Sequence, residues 1–196
     1  MNTVIIQYNA GNIQSVLYAL ERLGVQAIVT DQADAIQSAD KVIFPGVGEA
    51  NTAMNYLQDR GLDTLIKNLK QPVLGICLGM QLMCAYSEEN NTPCLGIFEE
   101  QVKLFKPKDA TCKVPQIGWN TISNLKSDLF KGVDEESYAY FVHGYYAALG
   151  QHTIASTDYI QKYSCALHKQ NFYGVQFHPE KSAKVGERII QNFLEC

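Results

Sequence analysis

The segment Pro72-Val73-Leu74-Gly75-Ile76-Cys77-Leu78-Gly79-Met80-Gln81 decides the fold. An apolar run typical of a buried strand reaches the cysteine, turns sharply there and continues directly as a helix. Glycines two residues before and after it give G-x-C-x-G, the thiol counterpart of the G-x-S-x-G turn that presents a nucleophile. Glycine is needed because so sharp a turn cannot carry side chains packed against its own flanks. Since a helix N-terminus favours a thiolate, the pattern predicts a reactive Cys77.

Strand and helix patterns alternate on both sides of this segment. In the first half, strand-like runs at Val4–Gln7, Gln26–Val29, Val42–Phe44 and Val73–Ile76 are separated by helical patterns at Ile13–Leu23, Ala50–Gln58 and Leu62–Leu69. The second half adds short strands at Val102–Phe105, Trp119–Ile122, Ala139–Val142, Thr153–Ser156 and Phe172–Phe177, then an amphipathic helix at Ala183–Leu194. The alternation predicts an α/β fold: one three-layer domain over residues 1–196, with a mixed, mostly parallel central sheet and flanking helices.

Composition and charge exclude several classes of function. The 196 residues carry a net charge of −4 and contain no long run of like charges, which argues against nucleic-acid or membrane-surface binding through a basic face. The N-terminal residues lack the features of a secretory signal, and no apolar stretch approaches the roughly 18 residues of a membrane span. We therefore expect a cytoplasmic protein.

The cysteine and histidine spacing predicts neither disulfides nor a metal centre. The six cysteines contain no C-x-x-C pair, and a cytosolic chain of this size keeps its thiols reduced. The four histidines show no zinc-type spacing with them. We expect no metal and no cofactor.

A cysteine nucleophile needs a base, and the sequence offers one in Phe177-His178-Pro179-Glu180. Because side chains at i and i+2 of an extended chain point the same way, His178 and Glu180 are predicted to lie together. Pro179 favours an extended conformation at His178. Glu180 would then fix the imidazole tautomer and leave the other nitrogen for Cys77. A purely structural His-Pro-Glu turn is the alternative, and the presence of the G-x-C-x-G pattern in the same chain makes it less favoured.

Candidate groups for binding a substrate and an oxyanion surround this set. The Leu78 N–H follows the nucleophile directly, and the loop Pro45-Gly46-Val47-Gly48 follows another predicted strand. An ordinary glycine–proline turn is the alternative for that loop. His143, after Tyr140-Phe141-Val142, is a candidate pocket residue; it is a weaker base candidate than His178 because no carboxylate stands at i+2.

With these residues assembled, the chain resembles class I, triad-type glutamine amidotransferases over essentially its whole length. The resemblance is carried by Gly75–Gln81 and by Gln176-Phe177-His178-Pro179-Glu180. Further segments resemble the glutaminase subunits of imidazole glycerol phosphate synthases, which serve histidine biosynthesis: Tyr8–Asn12, Ser15-Val16, Ala19-Leu20, Pro45–Gly48, Pro115–Asn120 and Tyr140–His143.

The resemblance implies an enzyme that hydrolyses glutamine to glutamate and ammonia. Cys77 would attack the side-chain amide, His178 would act as base and then acid, and Glu180 would orient His178. Gly46, Val47 and Leu78 are assigned to the oxyanion site in the same way, and Gln81, His143 and Gly144 to the glutamine pocket. The ammonia would pass to a separate (β/α)₈ cyclase subunit in a heterodimer. That cyclase makes imidazole glycerol phosphate and an aminoimidazole carboxamide ribotide.

Four positions depart from the pattern of these subunits. Gln7 stands where Asp is usual, Asn9 replaces Gly, Gln116 replaces a frequent His and Gly144 replaces Ser or Thr. The first three lie in segments that approach the partner interface in the family, whereas Gly144 borders the expected glutamine pocket. Three other hypotheses stay open at this point. They are a thiol hydrolase or a glutaminase serving another synthase, a paralogue that supplies ammonia for amino-sugar modification, and a catalytically silent regulatory or binding subunit of the same fold.

Overall fold

The structure is a computed structural model that describes residues 1–8, 12–107, 109 and 112–196. In chain order its helices and strands are β1 (Thr3–Ile6), α1 (Ile13–Arg22), β2 (Ala27–Thr30), α2 (Ala33–Gln37), β3 (Lys41–Gly46), α3 (Ala50–Asp59), α4 (Leu62–Asn68), β4 (Val73–Cys77), α5 (Leu78–Met83), β5 (Tyr86–Ser87), β6 (Thr92–Pro93), β7 (Gln101–Leu104), β8 (Gln116–Ile122), β9 (Ser137–His143), β10 (Tyr145–Ala147), β11 (Thr153–Asp158), β12 (Lys162–Lys169), β13 (Phe172–Val175) and α6 (Ala183–Glu195). None of the helices in these ranges is long and apolar enough to cross a membrane.

The central sheet is mixed, with a parallel half that carries Cys77. Its strand order is β2-β1-β3-β4-β13-β12-β10-β7-β5-β6, with β11 paired to β12. The neighbours from β2 to β13 are parallel, and β12 and β10 continue the sheet antiparallel. The register matches Gly46 of β3 with Cys77 of β4, and Val175 of β13 with Ile76. The strand ends that carry Gly46, Cys77 and the residues after Val175 therefore meet at one edge.

Alternating residues of the central strands pack into two different cores, which gives three layers. Val4 and Ile6 of β1 lie in one core with residues of α3, α4 and α5, whereas Ile5 lies in the other with residues of α1 and α6. Period-2 alternation with both faces apolar is what a sheet covered by helices on both sides requires. The predicted α/β class and three-layer architecture are confirmed.

Strands β8 and β9 form a separate antiparallel hairpin beside the main sheet. Their burial alternates, so that Ala139, Phe141 and His143 face the core while Ile117 and Trp119 point outward. The hairpin is tied back to the domain by the bond from the His178 amide to the Tyr140 carbonyl, which spans 2.8 Å. This contact brings the hairpin to the Cys77 edge of the sheet.

Candidate functional site

The backbone at Cys77 has the strained turn that the sequence predicts. Cys77 ends β4 with φ 54° and ψ −109°, and α5 begins at the next residue. A side chain on Gly79 would overlap the Phe44 carbonyl oxygen, and one on Gly75 would overlap the side chain of Met83. The two glycines are therefore required by close packing around the turn, and the turn holds the sulfur at the start of the helix.

His178 and Glu180 meet as predicted, but by a different route. The predicted extended strand through Phe177 is too long: β13 ends at Val175, and Pro179–Lys181 form a 3₁₀ turn. His178 itself is extended, with φ −97° and ψ 95°. The turn after it folds the Glu180 carboxylate back, so that Oε1 lies 2.8 Å from His178 Nδ1. The side chains are 4% and 1% exposed.

The other imidazole nitrogen of His178 is left for Cys77, and the two side chains interact at the wall of one cavity. Burial disfavours the imidazolium, but hydrogen bonds to Cys77 and Glu180 and the attraction of their charges outweigh it. Together these effects raise the pKa of His178 to about 10. His178 is consequently protonated at neutral pH.

Two further groups contact the Cys77 sulfur from inside the protein. The Val142 carbonyl lies 3.7 Å from Sγ, where it accepts from a thiol S–H. The Gln176 side-chain amide donates to Sγ across 3.6 Å and is fully buried. Sequence reasoning assigned no role to Gln176, because only the long-range pairing of β13 with β4 brings it beside the cysteine.

Cys77 and His178 open onto a cavity of about 300 Å³. Of the other predicted site residues, Val47, Leu78, Gln81, His143 and Gly144 also line it, whereas Gly46 and Glu180 do not. Gly48 of the predicted oxyanion loop and Val142 also line it, and the wall is completed by Glu89, Tyr145 and Lys181, which the sequence did not assign to the site. Glu89 lies in a 3₁₀ turn after β5, and burial raises the pKa of its carboxyl.

The Gly46–Val47 loop lies against the turn at Cys77. A Cβ on Gly46 would overlap the Tyr8 hydroxyl and would lie 2.8 Å from the Leu78 Cβ, so the backbones approach closely only because residue 46 is glycine. The Tyr8 hydroxyl donates to the Pro45 carbonyl at 2.7 Å and braces the loop. Val47 is 42% exposed at the cavity rim. Leu78 begins α5, so its N–H has no acceptor within the helix.

Both ring nitrogens of His143 are engaged by the protein. Nδ1 donates to the Tyr145 carbonyl at 2.7 Å, and Nε2 lies 3.0 Å from the Tyr163 hydroxyl. Burial lowers the pKa of His143 to about 4, so the ring is neutral at physiological pH. His143 therefore belongs to the cavity wall as a fixed, uncharged group.

The Gln81 side chain is hydrogen-bonded to the same Tyr145 carbonyl. Its Nε2 donates to the Tyr145 carbonyl at 2.9 Å and to Gln176 Oε1 at 2.9 Å. Gly144 stands between β9 and β10, and a Cβ there would be 3.7 Å from Val114 and 3.9 Å from Pro115, at ordinary contact distances. A serine or threonine would fit at this position.

The remaining departures from the subfamily pattern have different surroundings. Gln7 is exposed, and its backbone N–H donates to the Thr30 carbonyl at 2.9 Å. Asn9 lies outside the described residues. Gln116 is buried and accepts from the Tyr163 hydroxyl at 2.9 Å, so its side chain faces the core of the domain. Its neighbour Ile117 is the one that points outward.

Comparison with known proteins agrees with this geometry. The family model for class I glutamine amidotransferases matches residues 4–196. The chain is 62% identical to the imidazole glycerol phosphate synthase subunit HisH of Bacteroides fragilis over 195 residues, covering 100% of both chains. It is 46% identical to the HisH subunit of Haemophilus influenzae, covering 100% of this chain and 98% of that one.

Solved structures share the fold at low sequence identity. A glutamine amidotransferase is 18% identical, with a TM-score of 0.75 over 98% of this chain and 97% of that chain. A glutamine amidotransferase from Thermotoga maritima is 17% identical, with a TM-score of 0.64 over 100% and 83%. The chain belongs to the class I glutamine amidotransferase family and, within it, to the HisH subunits of imidazole glycerol phosphate synthase.

Proposed function

We propose that this chain hydrolyses the side-chain amide of glutamine with Cys77 as nucleophile and delivers the ammonia to a cyclase partner in histidine biosynthesis. The observation that supports this most directly is the arrangement of Cys77, His178 and Glu180: His178 interacts with Cys77 at the cavity and is hydrogen-bonded to Glu180 on its other side. A thiol, a base and a buried carboxylate in this order are the components of nucleophilic acyl transfer.

In the first half-reaction, the Cys77 sulfur attacks the amide carbon as a thiolate, with the proton already held by His178 Nε2. A carbon–sulfur bond forms, and the carbonyl oxygen becomes an oxyanion. The carbon–nitrogen bond then breaks as His178 Nε2 gives its proton to the departing nitrogen. The products are ammonia and a thioester of glutamate on Cys77.

In the second half-reaction, His178 Nε2 takes a proton from water, which attacks the thioester. The carbon–sulfur bond breaks, glutamate leaves and the thiolate is regenerated. Glu180 keeps Nδ1 protonated and facing away from the sulfur throughout, since a carboxylate only accepts at that bond.

The backbone at two places is suited to hold the oxyanion. The free Leu78 N–H at the start of α5 is one donor, and the Gly46–Val47 loop beside it is the second. An oxyanion held by backbone donors in a cavity is stabilised more than it would be in water, because the local dielectric is lower there.

Glutamine needs partners for its α-amino and α-carboxylate groups as well as for its amide. Glu89 provides a carboxylate on the cavity wall for the ammonium, and that pairing would offset the burial that raises its pKa. Gln81 and Gly144 line the same cavity, which supports assigning them to the rest of the substrate.

An apolar face on the hairpin is our candidate surface for the partner. Ile117, Trp119 and Tyr138 are 65%, 53% and 60% exposed on the outward side of β8 and β9. The backbone of Tyr140 in the same hairpin binds the His178 amide, so the face adjoins the active site. Contiguous exposed apolar side chains beside a reaction site are typical of an interface. We assign this face to a (β/α)₈ cyclase subunit in the cytoplasm.

The test is a glutaminase assay of the purified chain with and without the cyclase and its ribotide ligand. We expect hydrolysis to rise strongly when both are present. Equal rates with and without them would contradict the coupled function. An exchange of the histidine-pathway cyclase for an unrelated ammonia-using synthase serves as the control for partner identity.

Cys77→Ala separates the two activities of the complex. It should abolish glutamine-dependent synthesis of imidazole glycerol phosphate while ammonia-dependent synthesis continues, because the cyclase site is untouched. Loss of both activities in a complex that still assembles, measured by size-exclusion chromatography, would count against the proposal.

A further inference from the structure

We propose that Gln176 is a positioning residue for the nucleophile: its side-chain N–H donates to Cys77 Sγ and favours the thiolate. This inference rests on the proposed function, in which that thiolate attacks glutamine. Gln176 is fully buried, contacts the sulfur and does not line the cavity, so it does not contact substrate.

The surrounding bonds determine which end of the Gln176 amide faces the sulfur. The Tyr145 carbonyl can only accept, so the Gln81 atom that lies 2.9 Å from it is the nitrogen. That nitrogen also lies 2.9 Å from the Gln176 side chain, whose facing atom must then be the oxygen. The Gln176 nitrogen is therefore turned to Cys77, at 3.6 Å.

This orientation matters because the two protonation states of Cys77 use different partners. A thiol donates its proton to the Val142 carbonyl at 3.7 Å, whereas a thiolate can only accept. A fixed N–H donor at Sγ stabilises the thiolate selectively, since hydrogen bonding to the charged form lowers its free energy. If the Gln176 oxygen faced the sulfur instead, it would repel the thiolate and favour the thiol.

The other titratable groups that interact with Cys77 do not replace this donor. Among the described residues they include His178, which carries the proton, and the phenols of Tyr8 and Tyr163. Burial raises the pKa of both phenols, so they stay neutral. The Tyr8 hydroxyl donates its hydrogen bond to the Pro45 carbonyl and not to the sulfur. Gln176 is consequently an uncharged donor that acts on the sulfur at every pH.

The test is the pH dependence of Cys77 alkylation by iodoacetamide, followed by mass spectrometry of the Cys77 peptide in the full chain. Gln176→Met keeps the length and packing of the side chain and removes the donor. We expect the midpoint of the alkylation curve to rise by about one pH unit and the rate below that midpoint to fall about tenfold. An unchanged midpoint in folded Gln176→Met would overturn the proposal.

Asn192→Leu is the matched control for loss of a buried amide. Asn192 lies in α6 and donates to the carbonyls of Leu129 and Lys131, so its removal should leave the alkylation midpoint where it is. If Gln176→Met does not fold, the alkylation midpoint is measured on Gln81→Met instead, because this variant removes the donor that orients Gln176. A rise of the midpoint there supports the proposal, and no rise overturns it.

Alkylation needs no glutamine, so this inference and the proposed function fail separately. A raised midpoint in Gln176→Met together with absent glutaminase activity in every form would retain the Gln176 inference and remove the function. An active glutaminase whose midpoint is insensitive to Gln176 would do the reverse. In the active enzyme, Gln176→Met should lower kcat about tenfold and leave KM within twofold, as expected of a group that does not touch substrate.

Discussion

Nδ1 of His178 lies 2.8 Å from Oε1 of Glu180, and water is almost excluded from both side chains. The second carboxylate oxygen of Glu180, Oε2, is buried and has no hydrogen-bond partner among the described residues. A buried carboxylate with so few partners depends on the opposite charge beside it. His178 therefore stabilises Glu180 as an ion pair, while Glu180 holds the imidazole in the tautomer that serves Cys77.

Glu180→Gln should lower kcat about 100-fold, less than Cys77→Ala or His178→Ala, because the base remains but loses its orienting charge. The pKa of His178 should fall with the loss of that charge, so the alkaline limb of the kcat profile should move to lower pH. The measurement is glutaminase kcat against pH in the complex. Glu187→Gln, which removes an exposed carboxylate that binds Arg22, is the matched control and should change nothing. A loss as large as that of Cys77→Ala would indicate another role for Glu180.

Stability should depend on pH through His178. Its pKa is about 10 in the folded protein and near 6.5 when unfolded, so the folded state binds the proton more tightly. The stabilisation from this proton is complete below about pH 6.5 and is lost as the pH rises towards 10. We expect the difference in urea midpoint between wild type and His178→Gln to be largest near pH 6 and to shrink steadily above pH 7. A difference that grew with pH would contradict the charged state assigned to His178.

The elements that could be predicted from sequence are those with a strong local pattern. The turn at Cys77 was predictable because its glycines and strand are adjacent in sequence, and α1, α3 and α6 were predictable from their amphipathic spacing. Helix α2 has only five residues, too few for a periodic signal. Strand β12 was missed because residues 163–167 are all buried, which removes the alternation of a half-exposed strand.

Within the site, the parts that depend on long-range pairing could not be predicted. Gln176 reaches the sulfur only through the register of β13 on β4, and Glu89 reaches the cavity through a short 3₁₀ turn. Glu180 was predicted to lie beside His178, which it does, but its approach through a turn was not foreseen, because a 3₁₀ turn that begins at Pro179 has no period-2 signature. Local chemistry was visible in the sequence, whereas the surroundings of the sulfur were not.

Gly79→Ala should unfold or severely destabilise the protein. The added Cβ would overlap the Phe44 carbonyl oxygen, and backbone on both sides prevents relief by a change of rotamer. We expect a loss of more than about 3 kcal/mol in the free energy of unfolding, measured by urea denaturation. Gly144→Ala is the matched control: its Cβ meets only ordinary contacts, so its stability should stay within about 0.5 kcal/mol of wild type.

Gly144→Ser should tighten glutamine binding. The new Cβ fits between Val114 and Pro115, and the hydroxyl would add a hydrogen-bonding group to the cavity wall. One such bond is worth about 1 kcal/mol, so we expect KM for glutamine to fall about fivefold with kcat within twofold. Steady-state kinetics of the complex provide the measurement. Gly144→Ala lacks the hydroxyl and should leave KM unchanged; an equal fall in KM there would trace the effect to packing.

Trp119→Ala should weaken assembly with the cyclase, because a large aromatic side chain that is 53% exposed on the outward hairpin face is a typical interface anchor. We expect the Kd of the complex to rise at least tenfold by isothermal titration calorimetry. Ile28→Ala removes an equally exposed apolar side chain from β2, at the far edge of the sheet, and should leave Kd within twofold. Because Trp119 does not line the cavity, glutaminase activity at saturating cyclase should be largely retained. Equal effects of the two substitutions on Kd would place the partner elsewhere.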